Sequence, residues 1–253
     1  VMVGDFNGDG MDDIIGRVQS NGDWWIGSST GTGFTNAKWT RWSTGVTWTD
    51  VMVGDFNGDG MDDIIGRASH NGDWWIGSST GTGFANARWT RWSTGVTWTN
   101  VMVGDFNGDG CDDLVGRVQS NGDWWVASST GVGFTNAKWT RWSTNVDWLD
   151  VMVGDFGGDG SDDLVGRVSH NGDWWIGSST GTAFTNARWT RWSATAGWDH
   201  VMVGNFSAAA MQAESAVEVS QIEPESLTLA DLQSVVEEAA FRLTTGGEPV
   251  AGR

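Results

Sequence analysis

The chain has 253 residues and a formal net charge of −18, with 32 acidic residues against 14 basic ones. That balance excludes a nucleic-acid partner of the usual kind, which needs clustered Lys and Arg against the phosphates. One cysteine, Cys111, rules out an internal disulfide framework, and no apolar run is long enough to predict membrane insertion.

The chain opens on Val1-Met2-Val3-Gly4-Asp5, whose alternation predicts a strand. It feeds Asp5-Phe6-Asn7-Gly8-Asp9-Gly10-Met11-Asp12-Asp13, in which oxygen-bearing side chains stand at alternate positions. That is the ligand spacing of the first half of an EF-hand-type loop, with Gly10 at the sharp turn. Three converging carboxylates repel one another unless a hard divalent cation sits among them. We therefore expect a Ca2+ ion held by Asp5, Asn7, Asp9, the Met11 carbonyl and Asp13. The loop returns every 50 residues. Its second copy offers Asp55, Asn57, Asp59, Met61 and Asp63, and its third Asp105, Asn107, Asp109, Cys111 and Asp113. The fourth offers Asp155, Asp159, Ser161 and Asp163, with Gly157 in place of the asparagine, so it is expected to bind more weakly.

After the loop, Ile14 to Val18 reads as a second strand. Asn21-Gly22 predicts a tight hairpin in which both residues take positive φ, leading to a third strand over Trp24 to Ser28. Trp39-Thr40-Arg41-Trp42 is a fourth, and Trp48 closes the unit. Four short antiparallel strands in a 50-residue repeat predict an all-β fold, a β-propeller of four-stranded blades. A linear β-solenoid is the competing architecture, although its coils repeat at shorter periods. The predicted organisation is 1–206 for the propeller repeats (1–50, 51–100, 101–150, 151–200 and a partial fifth strand 201–206), 207–226 for an acidic linker and 227–253 for a short C-terminal helical tail. The fifth start, Val201 to Phe206, runs into Ser207-Ala208-Ala209-Ala210 and has lost the ligands.

Repeats one and three carry Gln-Ser and Lys (Gln19, Ser20, Lys38; Gln119, Ser120, Lys138). Repeats two and four carry Ser-His and Arg (Ser69, His70, Arg88; Ser169, His170, Arg188). The array reads as grown by pairs, and a homo-oligomer is one way to complete a ring. His70 and His170 are expected to be solvated turn residues.

At Asp-Phe-Asn-Gly-Asp-Gly-Met-Asp-Asp-Ile-Ile-Gly the sequence resembles the FG-GAP or VCBS repeat class, found in integrin alpha-subunit propellers and many bacterial surface proteins. The resemblance implies a calcium-binding loop of structural role between the first two strands of each blade. The blade is also similar to those of a seven-bladed fungal propeller lectin.

All 20 tryptophans lie in the repeats, at the registers of Trp24, Trp25, Trp39, Trp42 and Trp48. Most are expected between the sheets, since Trp is largely buried on average. Alternation puts Trp24 and Ile26 on one face and Trp25 on the other. An exposed register would be a sugar platform. The candidates are Trp25, Trp75, Trp125 and Trp175 together with Trp42, Trp92, Trp142 and Trp192, with Asp23, Asn36, Arg41 and Ser43 nearby in sequence.

No nucleophile, base and orienting acid assemble from the sequence, so no enzyme is expected. The sequence points to a calcium-stabilised extracellular or cell-surface module, multivalent and carbohydrate-directed. The alternative is a structural or protein–protein adhesion scaffold, and a third reading is an accessory domain of an enzyme. Its expected partners are glycans or a surface protein.

Overall fold

The computed structural model describes residues 1–204 and consists of sixteen strands in four sheets. Blade 1 contains β1 (Met2–Gly4), β2 (Asp13–Arg17), β3 (Asp23–Ser29) and β4 (Phe34–Arg41). Blade 2 contains β5 (Trp48–Gly54), β6 (Asp63–Ala68), β7 (Asp73–Ser79) and β8 (Phe84–Arg91). Blade 3 contains β9 (Trp98–Gly104), β10 (Asp113–Val118), β11 (Asp123–Ser129) and β12 (Phe134–Arg141). Blade 4 contains β13 (Trp148–Gly154), β14 (Asp163–Val168), β15 (Asp173–Ser179) and β16 (Phe184–Arg191).

Each sheet is an antiparallel meander in chain order. Neighbouring sheets approach most closely through their first strands, the arrangement of propeller blades around an axis. Trp48 opens the first strand of the next blade instead of closing its own unit. The linker at 207–226 and the helical tail at 227–253 lie outside the described residues, as do Asn205 and Phe206 of the fifth start.

Period-two alternation decides which residues enter the core. Ile15 pairs with Ile26 and Arg17 with Trp24, so these four share the face toward the following blade; Ile14, Gly16 and Trp25 share the other. The core is the set of junctions between blades. Between blades 1 and 2, Phe6, Ile15, Trp24, Ile26 and Trp42 pack with Ile64 of the next sheet. The same set recurs between blades 2 and 3 and between blades 3 and 4. Each fully buried large apolar side chain contributes about 1.5–3 kcal/mol, so no blade stands without a neighbour.

Trp42 crosses the junction and lies over Gly66, where an added Cβ would meet its ring at 2.7 Å. Its indole N–H donates to Asn86 Oδ1 at 2.8 Å, and Asn86 Nδ2 donates to Thr40 Oγ1 at 2.6 Å. Phe84 meets Phe6 and Trp39 edge-on. Two polar ties complete the junction: the Asp5 N–H donates to Asp62 Oδ2 at 2.7 Å, and Ser79 Oγ donates to the Phe6 carbonyl at 2.6 Å. The first aspartate of the Asp62-Asp63 pair, like Asp112 and Asp162 after it, is thus an inter-blade latch.

The hairpin after β2 departs from expectation. Only Gly22 takes positive φ, at 77°, while Asn21 instead accepts the Asp23 N–H at 3.0 Å. A side chain at Gly22 would collide with the Trp42 carbonyl, so glycine is required there by close approach as well as by φ.

Candidate functional site: pockets between the blades

Wherever Trp42 seats on Gly66, the two sheets splay above it and leave a cavity of about 350 Å³. Arg41, Trp42, Ser43 and Trp48 form one wall, and His70, Asn71, Asp73, Trp75 and Asn86 the other. The corresponding cavity between blades 3 and 4, about 300 Å³, is lined by Arg141, Trp142, Ser143 and Trp148 on one side and by His170, Asn171, Asp173, Trp175 and Asn186 on the other. The registers of Asp23, Asn36, Arg41 and Ser43 do meet, but from two adjacent repeats.

The two tryptophan registers divide. Trp42, Trp92 and Trp142 are each only 4 % exposed. They serve the core and the pocket floor, which corrects their reading as exposed platforms; a side chain that crosses to the next blade is covered on both sides. Trp192 is 38 % exposed, with no complete blade after it among the described residues. Trp25 at 43 % and Trp75 at 36 % are the open register, while Trp125 and Trp175 are half-buried. Trp75 and Trp175 stand on the pocket walls, each paired with the glycine, Gly66 or Gly166, that receives the neighbouring Trp.

Asp73 supplies a fixed carboxylate under this wall. It accepts from Arg91 Nε at 2.6 Å and from Asn71 Nδ2 at 2.7 Å. The bond from Arg91 holds its carboxyl below the usual carboxylate range. Arg41 donates through Nε to Asp23 at 2.6 Å, and its terminal nitrogens have no partner among the described residues. They are free donors at the pocket wall. His70 and His170 are exposed, as expected of turn residues, and they also line the cavities.

Because its folded pKa is lowered, Asp73 contributes stability that is present above the unfolded carboxylate value, about 4, and lost as pH falls through the folded value. The gap in thermal midpoint between the native chain and Asp73→Asn is therefore expected at pH 7 and to shrink below about pH 4. Midpoints measured from pH 7 to 3 check this, and a gap that persists unchanged at pH 3 contradicts it.

The acidic loops occupy the opposite end of each strand pair. Asp5 Oδ1 accepts from the Gly8 N–H at 2.7 Å and Oδ2 from Gly10 at 2.8 Å; Asn7 accepts from Asp9 and Asp9 from Met11, both at 2.9 Å. The side chains are turned onto backbone amides. Among the described residues, no three His, Cys, Asp or Glu side chains stand together as a metal cage.

Asp13 differs. It is fully buried, its Oδ1 takes the Ser29 N–H at 2.7 Å, and its Oδ2 has no partner, as is also true of Asp63, Asp113 and Asp163. Burial pushes the carboxyls of Asp63 and Asp113 up to about 8. In every blade, a sealed carboxylate oxygen without a donor fits a cation ligand.

A family model described as an FG-GAP-like repeat matches residues 5–66 and again 55–116, each span running from one acidic loop into the next blade. This is an FG-GAP-like repeat propeller. Its third and fourth blades carry the same residues at the same registers. Among solved structures, the FG-GAP-like propeller is similar to an Agrocybe aegerita lectin described for specific recognition of non-reducing terminal N-acetylglucosamine. That match has 21 % identity and a TM-score of 0.60 over 74 % of this chain and 50 % of that one. The chain thus spans about half of that lectin. A structure of the V. cholerae biofilm matrix protein Bap1 matches at 19 % identity and a TM-score of 0.36, over 71 % of this chain and 28 % of that one. Comparison with curated proteins finds no significant sequence match.

Proposed function

We propose that this propeller is an extracellular glycan-binding module whose sites are the pockets between blades. One observation carries the reading: a partly open tryptophan, Trp75 or Trp175, stands in each cavity beside a fixed carboxylate, two asparagines and an arginine with free donors. An aromatic face takes the apolar face of a pyranose, and the surrounding polar groups take its hydroxyls. The fold of the fungal lectin, a protein described as recognising terminal N-acetylglucosamine, supports the same class of ligand. Repetition of the pocket converts weak single-site affinity into avidity on a dense surface. The same side chains recur at each junction, which suits repeated binding better than catalysis.

In this reading a calcium ion is held in each loop by Asp5, Asn7, Asp9, the Met11 carbonyl and Asp13 and by their counterparts, and its role is to neutralise the loop and fix its shape. The orphaned Asp13 Oδ2 supports it. Asp5 and Asp9 would exchange their backbone donors for the ion. Such loops suit millimolar calcium outside cells.

A panel of immobilised glycans, probed with the 253-residue chain in about 1 mM calcium, tests the proposal. Binding is expected to one sugar class and to weaken after chelation. A folded chain that binds nothing on a broad panel contradicts it.

A further inference from the structure

Each of the three blade junctions joins the same two surfaces, and at the two ends of the array each surface is left alone. On blade 1, Gly16 is the counterpart of Gly66, yet an added Cβ there meets nothing closer than Val1 at 4.0 Å. The tryptophan socket is open. Ile14 beside it is 37 % exposed, whereas Ile64, Leu114 and Leu164 at the same register are fully buried. Phe34 is 53 % exposed, and the latch residue Asp12 is exposed as well.

Blade 4 presents the opposite half. Trp192, the counterpart of the crossing Trp42, has no glycine to lie on and no asparagine for its indole N–H among the described residues. Trp189, the counterpart of the half-buried Trp39, is 55 % exposed.

This end is shaped to receive a sheet. His200 repeats, at φ 52°, the left-handed kink found at Asp50, Asn100 and Asp150 in each first strand. The Trp198 indole N–H donates to the Ser193 carbonyl at 2.8 Å, as Trp48 does to Ser43 at 3.0 Å. Val203 lies against Gly154 as Val53 lies against Gly4. A first strand is thus preformed at a fifth position, and it has no ladder among the described residues. The sequence after Phe206 runs into Ser207-Ala208-Ala209-Ala210, and residues 207–253 contain no further acidic loop.

We propose that the blade-4 end of one copy seats on the blade-1 end of a second copy of this chain. The surface complementary to Trp192 is one this chain itself carries, and three copies of the same junction already hold the blades together. Trp192 enters the socket over Gly16 of the second copy, and its indole N–H meets that copy's Asn36. Val201-Met202-Val203 repeats Val1-Met2-Val3, so the incoming β2 finds the same strand whichever of the two it pairs with. The contact is heterologous, and two of them related by a twofold rotation close a ring of eight blades. Each contact also builds one more inter-blade pocket, with Arg191 and Ser193 from one copy facing Asn21, Asp23 and Trp25 of the other.

Sedimentation of the full 253-residue chain over about 1–100 µM tests the proposal. The expected mass is twice the 27.3 kDa of the chain. Gly16→Leu fills the socket without touching the chain's own core, so its monomer should melt like the native one, while the dissociation constant rises roughly tenfold or more. Gly66→Leu, which strikes Trp42 within the chain, serves as the control that unfolds. A monomer throughout the range overturns the proposal. So does a dimer that Gly16→Leu leaves intact, because the contact would then lie elsewhere. Neither readout involves a glycan, so the two proposals stand or fall separately.

Discussion

Replacing Trp92 by alanine is expected to cost about 3–5 kcal/mol. The ring meets Trp74 edge-on at 5.2 Å and Trp98 at 4.5 Å, and its N–H donates to Asn136 Oδ1 at 2.8 Å. It also covers Gly116, where an added Cβ would lie 2.6 Å from it. Alanine there leaves a cavity shared by two sheets and an unpaired asparagine in place of a junction. Trp75→Ala, on the pocket wall, should cost much less because that ring is already partly in water. Urea denaturation of both variants separates the two roles. Equal destabilisation would contradict the division between a crossing tryptophan in the core and an open one in the pocket.

Removing calcium is expected to lower the thermal midpoint by roughly 5–10 °C for one site occupied at about 100 times its Kd. Folding fixes the geometry of Asp5, Asn7, Asp9 and Asp13 on their loop, and an ion bound only to that folded arrangement would stabilise it by mass action. Asp13, Asp63, Asp113 and Asp163 are the residues that gain most, since each has a buried oxygen without a donor. The fourth loop, with Gly157 for Asn7, should be the first to empty. Calorimetric melts in calcium and in chelator check this. An unchanged midpoint after verified removal would assign the loops to their backbone hydrogen bonds alone.

The blades were legible because their signals are local. The 50-residue period, the alternation in β2 and β3 and the acidic loop each lie within a few residues, and Trp24 and Trp25 part company as the pleat requires. What stayed hidden depends on the neighbouring sheet. Trp42 and Trp25 are both large and flanked by polar residues, and nothing in one repeat tells which is covered by the next blade. Gly66 held the signal: a glycine in mid-strand at a fixed register marks a close approach, here by Trp42. The junction role of Asp62 and the meeting of Arg41 with Asp73 were invisible for the same reason, since their partners lie in the adjacent repeat. At the hairpin, the Asn-Gly pair suggested a tight two-residue turn, whereas the carbonyl of Trp42 decides the conformation of Gly22.

The most direct test of inter-blade glycan binding is calorimetric titration of the strongest-bound glycan from the panel into the native chain and into Trp75→Ala/Trp175→Ala. These substitutions remove the open ring from both cavities described between blades and leave the crossing tryptophans in place. The account predicts a folded variant whose binding stoichiometry falls by two sites per chain. Full stoichiometry at native affinity would place the glycan elsewhere on the propeller and contradict the account.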